Sequence, residues 1–349
     1  MAPLRDDLTN VRARPAPLRQ RAAQRIAGLI RVGTLLFTCI ALVDAQAQVS
    51  AHAGEVATPH GRIHYEVLGA GPPILLIAGG PGSSHTSLRP EFDRLAASHT
   101  VVYFDNIGRG RSSAQLPVGV RHSPERDVQD VESLRVALGF ERIALLGHSY
   151  GGYPALLYAA RYPERLSHLV ISSSGHGAVA WQRNIDNVNR FIQNQFPETW
   201  ARIESMRATG VRSCAEEYQE LYGHGISSLY WRNQAARKMR KLFSDAPGDQ
   251  HRMSVYCEII GDDPEWRVGG AMASMDARPL LAKTRVPSLI TAGRFDPVSP
   301  PAVAYEIRDA FPLGVAHVSI FEESSHRPWA EEPEAYFEQL KRFLQRGVP

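Results

Sequence analysis

The feature that most restricts this chain is the hexapeptide Gly147-His148-Ser149-Tyr150-Gly151-Gly152. It follows an apolar run, Ile143–Leu146, and opens the helical pattern Tyr150–Tyr162. A strand that turns sharply into a helix leaves little room beside the turn, so glycines must flank its apex. The apex is Ser149. The turn holds it in a sparsely populated backbone conformation and exposes its hydroxyl at a helix N-terminus. There, free N–H groups and the helix dipole favour developing negative charge. Ser149 is therefore a candidate nucleophile.

From residue 61 onward, short aliphatic or β-branched runs alternate with helical patterns. Strands are expected at Arg62–Leu68, Ile74–Ala78, Thr100–Phe104, Ile143–Leu146, His168–Ser172, Ser288–Ala292 and His317–Phe321. Val128, Val131, Leu134 and Leu138 fall at helical spacing, and Tyr336–Leu344 also reads as a helix. The alternation predicts an α/β fold, a mainly parallel sheet covered by helices. It breaks between Gly175 and Lys283, a stretch rich in Trp, Tyr, Arg and Gln with helical character. Strand pattern resumes at Ser288, so this stretch reads as a helical cap, residues 175–283, inserted into a core of residues 48–174 and 284–349. The run Arg237–Lys241 reads as a solvated helix face.

The formal net charge is +3, from 39 basic and 36 acidic residues, but seven Arg lie in residues 1–47. Setting those residues aside leaves 32 basic and 33 acidic residues, a net charge of −1, with no footprint for nucleic acid. The Arg-rich start, the apolar run Val32–Val43 and the small residues of Ala45-Gln46-Ala47 together read as an export signal, with periplasmic or secreted localisation and no membrane span after cleavage. A retained anchor, or a misassigned start with a cytoplasmic product, is the competing reading. Cys214 and Cys257 could pair in an oxidising compartment or remain two free thiols. No Cys or His group has metal-ligand spacing, so neither a metal nor another cofactor is expected.

A serine hydroxyl needs a base, and the base needs an orienting acid. Asp296, just past Ser288–Ala292, and His326, just past the strand ending at Phe321, follow Ser149 in the chain order this turn requires. Both fall in loops at the C-terminal ends of strands, where an open α/β sheet places its site. Glu322 and Glu323 are too near His326 in sequence to orient it, and His148 reads as structural. An oxyanion hole needs two backbone donors. Tyr150 supplies one N–H, and Gly80 of Gly79-Gly80-Pro81-Gly82 is the expected second, since Pro81 has none.

These motifs resemble the proline iminopeptidase family of α/β-hydrolases, which includes the tricorn-associated aminopeptidases. The resemblance is carried by Gly79–Gly82 with Ser83, Ser84 and His85, by Asp105-Asn106-Ile107-Gly108-Arg109-Gly110-Arg111-Ser112, by the Ser149 turn, by Gly293–Asp296, and by Ser325-His326. Gly261, Pro264-Glu265-Trp266 and Met275-Asp276 extend it through the cap exit, so it covers roughly residues 57–345. It implies an α/β-hydrolase fold and release of an N-terminal residue from short peptides. It also implies that Glu217 and Glu265 are cap acids holding the substrate's ammonium. Ala78 stands where the family has His, and Asn106-Ile107 where it has Gln-Arg. These departures bear on substrate positioning, not on serine chemistry.

Three functions remain open. One is an aminopeptidase or amino-acid amidase acting on small substrates. The second is a carboxylesterase or lactonase with the same three residues. The third is a binding protein that has kept the fold without turnover. Asp would be wanted at position 149 for an epoxide hydrolase or dehalogenase.

Overall fold

The computed structural model describes residues 51–226, 228–239 and 249–345. The expected export segment lies outside them, and among the described residues no helix is long and apolar enough to cross a membrane. Eight strands form one sheet: β1 (Ala51–Thr58), β2 (Gly61–Leu68), β3 (Pro73–Ile77), β4 (Thr100–Phe104), β5 (Ile143–His148), β6 (Leu166–Ser172), β7 (Ser288–Gly293) and β8 (Ala316–Phe321). Their order is β1-β2-β4-β3-β5-β6-β7-β8. β1 pairs antiparallel with β2, and β2 with β4; every other pairing is parallel.

The seven expected strands form β2 to β8, with ends that differ by at most two residues. β3 to β7 are legible because strands buried on both faces read as nearly continuous apolar runs, whereas β2 and the edge strand β8 are only partly buried and show through their β-branched and aromatic residues. β3 shows the consequence. Leu75 and Ile77 enter one core, with Val128, Val131 and Leu134 of α1 (Pro124–Ala137) and Ala155 and Leu156 of α2 (Gly152–Arg161). Ile74 and Leu76 enter the opposite core, with Phe92, Leu95, Trp329 and Tyr336. β1 escapes the pattern for the converse reason. It is an edge strand, mostly exposed, and its AHAGEVAT lacks the apolar alternation that burial imposes.

Among the described residues, the segment between β6 and β7 opens with the helices α3 (Ala178–Gln195), α4 (Pro197–Ala208), α5 (Glu216–Ile226), α6 (Gln234–Met239) and α7 (Met253–Ile260). α3, α4 and α5 share a small core around Ile192, Ile203, Tyr218 and Tyr222, while α7 packs Val255, Ile259 and Ile260 into the main core. The two ends of this segment meet: Ala178 N–H donates to the Met275 carbonyl at 2.8 Å, and Ala277 N–H to the His176 carbonyl at 2.8 Å. Cys214 and Cys257 are joined as a disulfide, with Cα atoms 6.2 Å apart. The remaining helices are α8 (Arg278–Leu281), α9 (Pro301–Asp309) between β7 and β8, then α10 (Pro328–Glu331) and α11 (Pro333–Leu344).

Trp329 of α10 is fully buried beneath the Ser149 turn. Its ring lies 4.3 Å from that of His148, edge-on, and 5.5 Å from that of Phe92. Trp329→Ala is expected to cost about 3–5 kcal/mol, the range for emptying a buried aromatic site, measured by urea melts. A loss below about 1 kcal/mol would show that the neighbours collapse into the space.

Candidate active site

β5 ends at His148 and the chain turns at once through Ser149, whose φ is 52°. Glycine is required on both sides for space. A Cβ on Gly147 would run into the Gly151 carbonyl oxygen, and one on Gly151 into the Ile77 carbonyl oxygen of the neighbouring strand. The strained serine is tied down by Ser174, whose hydroxyl donates to the Ser149 carbonyl at 2.5 Å.

His326 Nε2 lies 3.0 Å from Ser149 Oγ, and His326 Nδ1 lies 2.8 Å from Asp296 Oδ2. The other Asp296 oxygen accepts backbone N–H groups from Val298 at 2.8 Å and Ser299 at 3.0 Å. An ionised carboxylate can only accept, so Nδ1 carries the ring hydrogen and Nε2 offers its lone pair to the serine hydroxyl. Asp296 and His326 are both buried. The loops that carry them are sewn together: Phe295 N–H donates to the Ser324 carbonyl at 2.9 Å, and a Cβ on Gly293 would run into the Ser325 carbonyl. Glu322 and Glu323 point elsewhere, to Arg294 and Arg232.

The Gly79–Gly82 loop packs against the serine turn. A Cβ on Gly79 would lie 2.9 Å from Ser149 Cβ. Gly80 has φ 56°, and its carbonyl accepts from Ser83 N–H at 2.8 Å. One buried ion pair ties loop and turn together. Arg109 meets Asp127 through two hydrogen bonds of 2.6 and 3.0 Å, its Nε donates to the Pro81 carbonyl, and Asp127 accepts from the Tyr150 hydroxyl at 2.7 Å. The Arg109 side chain is 3% exposed and that of Asp127 1%, so neither charge has bulk water as an alternative partner.

Ser149, Gly80 and His326 open on a cavity of about 360 Å³. Glu265 also lines it, buried, on the segment after α7. Burial raises the Glu265 pKa, against hydrogen bonds from neutral groups: Gln219 at 3.2 Å, Tyr256 at 3.0 Å and Tyr222. The expectation for Glu217 is corrected. α5 buries Tyr218, Leu221, Tyr222 and Gly225, and Glu217 falls off that face, exposed and away from the cavity lining. From α5, Gln219 and Tyr222 are the residues that reach Glu265. Asn106 and Ile107 are also absent from the lining; both bond to Asp130 of α1 instead, at 3.2 and 3.0 Å.

Sequence reasoning assigned no site role to Tyr256, Tyr222, Ser83 or His251, all of which line the cavity. Ser83 Oγ lies 3.1 Å from His251 Nδ1, Arg252 N–H donates to the Gly82 carbonyl at 2.9 Å, and Arg111 meets Asp249 at 3.2 Å. The stretch Asp249–Arg252 therefore rests on the glycine loop. No motif marks it, because its contacts come from an insertion whose packing is not periodic with the sheet.

His85, directly after this loop, is fully buried between two carboxylates, with Nδ1 3.0 Å from Asp105 and Nε2 3.3 Å from Glu66. Burial would lower its pKa, but the hydrogen bonds to Asp105 and Glu66 outweigh it and raise the value to about 9. Glu66 is lowered to about 2, first by the hydrogen bond to His85 and against burial, with Arg89 and Arg111 adding to the shift. With His64, these two residues bring three ligand-type atoms within 4.8 Å of one another. The donor set suits a proton better than a metal: both Glu66 oxygens already accept from guanidiniums, Arg111 at 2.9 Å and Arg89 at 2.5 Å.

Two expectations follow from these buried charges. Asp127→Ala leaves the Arg109 charge uncompensated and is expected to cost about 3–5 kcal/mol, read from denaturant melts; an unchanged midpoint would contradict this account of the pair. The raised His85 pKa gives stability that is fully present below its ordinary 6.5 and is lost as pH rises through about 9. The lowered Glu66 pKa gives stability present above 4.5 and lost as pH falls toward about 2. Melts of His85→Asn are expected to show a shallower decline than the wild type between pH 6.5 and about 9. Parallel pH profiles in the two proteins would refute the assignment.

A family model for the alpha/beta hydrolase fold matches residues 72–205. The chain is 27% identical over 294 residues to a proline iminopeptidase of Heyndrickxia coagulans, covering 83% of this chain and 98% of the relative. It is 29% identical over 287 residues to a proline iminopeptidase of Saccharolobus solfataricus, covering 80% and 87%. Among solved structures, VinJ superposes with a TM-score of 0.69 at 25% identity, over 84% of this chain and 98% of that one. The chain has the α/β-hydrolase fold and is similar over most of its length to proline iminopeptidases.

Proposed function

We propose that this protein is a serine aminopeptidase that releases an N-terminal residue from short peptides or amino-acid amides. The observation that carries the reading is the shared cavity: the Ser149–His326–Asp296 relay opens on the same space as the buried Glu265. A buried carboxylate held by neutral donors gains most from an arriving cation, and the ammonium of a free N-terminus is such a cation.

The chemistry follows from the hydrogen-bond directions. His326 Nε2 takes the Ser149 proton as Oγ attacks the carbonyl carbon. The oxyanion that forms is received by the backbone N–H groups of Tyr150 and Gly80. His326 returns the proton to the departing amine, and the C–N bond breaks to leave an acyl ester on Ser149. Water, deprotonated by His326, then attacks the ester and frees the amino acid. Asp296 holds the ring in the tautomer this needs and stabilises the imidazolium that forms. The helical segment between β6 and β7 serves as the cap that presents Glu265.

A carboxylesterase reading is favoured by one observation, the apolar wall of Trp181, Ile185, Val188 and Val298, which suits an acyl chain with no charge. One panel separates the readings: aminoacyl arylamides, their N-acetylated forms and p-nitrophenyl esters. Wild type is expected to prefer the free amine over the acetylated form. Glu265→Gln should raise KM for the free amine by about tenfold, the equivalent of about 1.4 kcal/mol. Ser149→Ala should lower kcat on every substrate by about 10³-fold or more. KM for the free amine is further expected to rise as pH falls through the Glu265 pKa, at a pH above the ordinary 4.5 of a glutamate. Equal cleavage of free and acetylated substrates would favour the esterase, and an inert wild type that still binds ligand would favour a protein without turnover.

A further inference from the structure

We infer that the Cys214–Cys257 disulfide is a positioning element for the recognition end of the site, setting affinity for the free N-terminus without setting the rate of acyl transfer. The inference rests on reading Glu265 as the ammonium acceptor.

Glu265 is held from two segments. On the α5 side, Ser213 Oγ accepts the Glu265 N–H at 3.1 Å, and Gln219 Nε2 donates to both the Ser213 carbonyl at 2.6 Å and Glu265 Oε1 at 3.2 Å. On the α7 side, the Tyr256 hydroxyl donates to the same Glu265 oxygen at 3.0 Å. Cys214 directly follows Ser213, and Cys257 directly follows Tyr256. The disulfide therefore joins the two donors' segments at the residues beside them.

Each side is also held without the disulfide, the α7 side by apolar packing of Val255, Ile259 and Ile260 into the main core and the α5 side by a polar brace. Asp263 accepts from Arg207 at 2.8 Å, from Arg212 at 3.1 Å and from the Ser213 hydroxyl at 2.9 Å, which secures Ser213 against the Glu265 segment. That brace does not include Tyr256. The chain leading into α7 is attached instead to the glycine loop, through Arg252 and Gly82. The covalent link from Tyr256 back to the Gln219 and Ser213 side is the disulfide. Without it, the Tyr256 hydroxyl must be ordered anew against a carboxylate already penalised by burial. Ser149, Asp296 and His326 sit in the turn after β5 and in the loops after β7 and β8, outside both segments.

The test compares oxidised wild type with Cys214→Ser/Cys257→Ser on an aminoacyl p-nitroanilide and on p-nitrophenyl acetate. Stoichiometric labelling of Ser149 by a fluorophosphonate, with an unchanged circular dichroism spectrum, confirms a folded site. The expected result is a rise in KM of about fivefold to tenfold for the free amine, with its kcat and both ester constants within about twofold. If the double variant does not fold, wild type reduced with a phosphine under native conditions and then reoxidised gives the same comparison, and KM should rise and return. An unchanged KM, or an equal loss on anilide and ester, overturns the inference. Glu265→Gln keeps its failure distinct from that of the underlying reading. If Glu265→Gln raises KM for the free amine and disulfide loss does not, the brace alone is wrong. If Glu265→Gln changes nothing, the ammonium reading and the brace fall together.

Discussion

The buried Arg109–Asp127 pair is the interaction on which the geometry of this site depends. It joins three parts of the chain that the sheet alone does not align: the Gly79–Gly82 loop through the Pro81 carbonyl, α1 through Asp127, and the serine turn through the Tyr150 hydroxyl. Removing two charges from water costs several kcal/mol each, and their attraction only roughly offsets it. The pair is therefore poorly explained as a source of stability. It is better explained by what it specifies, since the two candidate oxyanion donors, Gly80 and Tyr150, sit on the two parts it joins. The guanidinium's planar fork suits this task, because one face meets the carboxylate in two bonds while Nε reaches a carbonyl.

The same division of labour runs through the molecule. The proposed chemistry is attached to strand ends: Ser149 leaves β5, Asp296 follows β7 and His326 follows β8. Adjacent parallel strands fix these loops relative to one another, and the close approach of Gly293 to Ser325 leaves little freedom between acid and base. The proposed recognition group, Glu265, belongs to the segment between β6 and β7, where α3, α4 and α5 share a small core and a disulfide links α7 to the chain before α5. One part can thus be altered while the other stays in place. That is the physical reason a single α/β scaffold can carry amide and ester chemistry with the same three residues.

This division also decides what could be read from the sequence. β3 to β7 were legible because burial on both faces favours unbroken apolar runs, and Ser149, Asp296 and His326 because each falls just beyond a strand-like run. β1 was illegible because an edge strand meets no such demand. In the insertion, the resemblance led to two glutamates, and only Glu265 lines the cavity. Glu217 differs from Gln219 by two helical positions, about 200° around the axis, a difference that composition and motif do not encode. His251 and Tyr256 were illegible for the same reason: their place depends on how one helix of the insertion meets another. The pairing of Cys214 with Cys257 stayed open in the sequence because 43 positions separate them and only tertiary packing brings their Cα atoms to 6.2 Å.

Glu265 is where stability and function pull against each other. Its carboxylate is buried, its pKa is raised by that burial, and the groups that hold it down are an amide and phenols rather than a cation. Gln219 and Tyr256 both donate to one of its oxygens and favour the charged form, and each donor must be ordered to help. A core built for stability alone would place an apolar side chain there, as buried ionic groups can often be replaced without loss. The arrangement makes sense if the missing charge arrives with the ligand. The desolvation already imposed on Glu265 then strengthens its attraction for an ammonium relative to the same pair in water, and a substrate without that charge gains nothing from it. On this view selectivity for a free N-terminus arises from the cost of keeping Glu265 buried, and the surrounding hydrogen bonds are there to keep that cost from neutralising it.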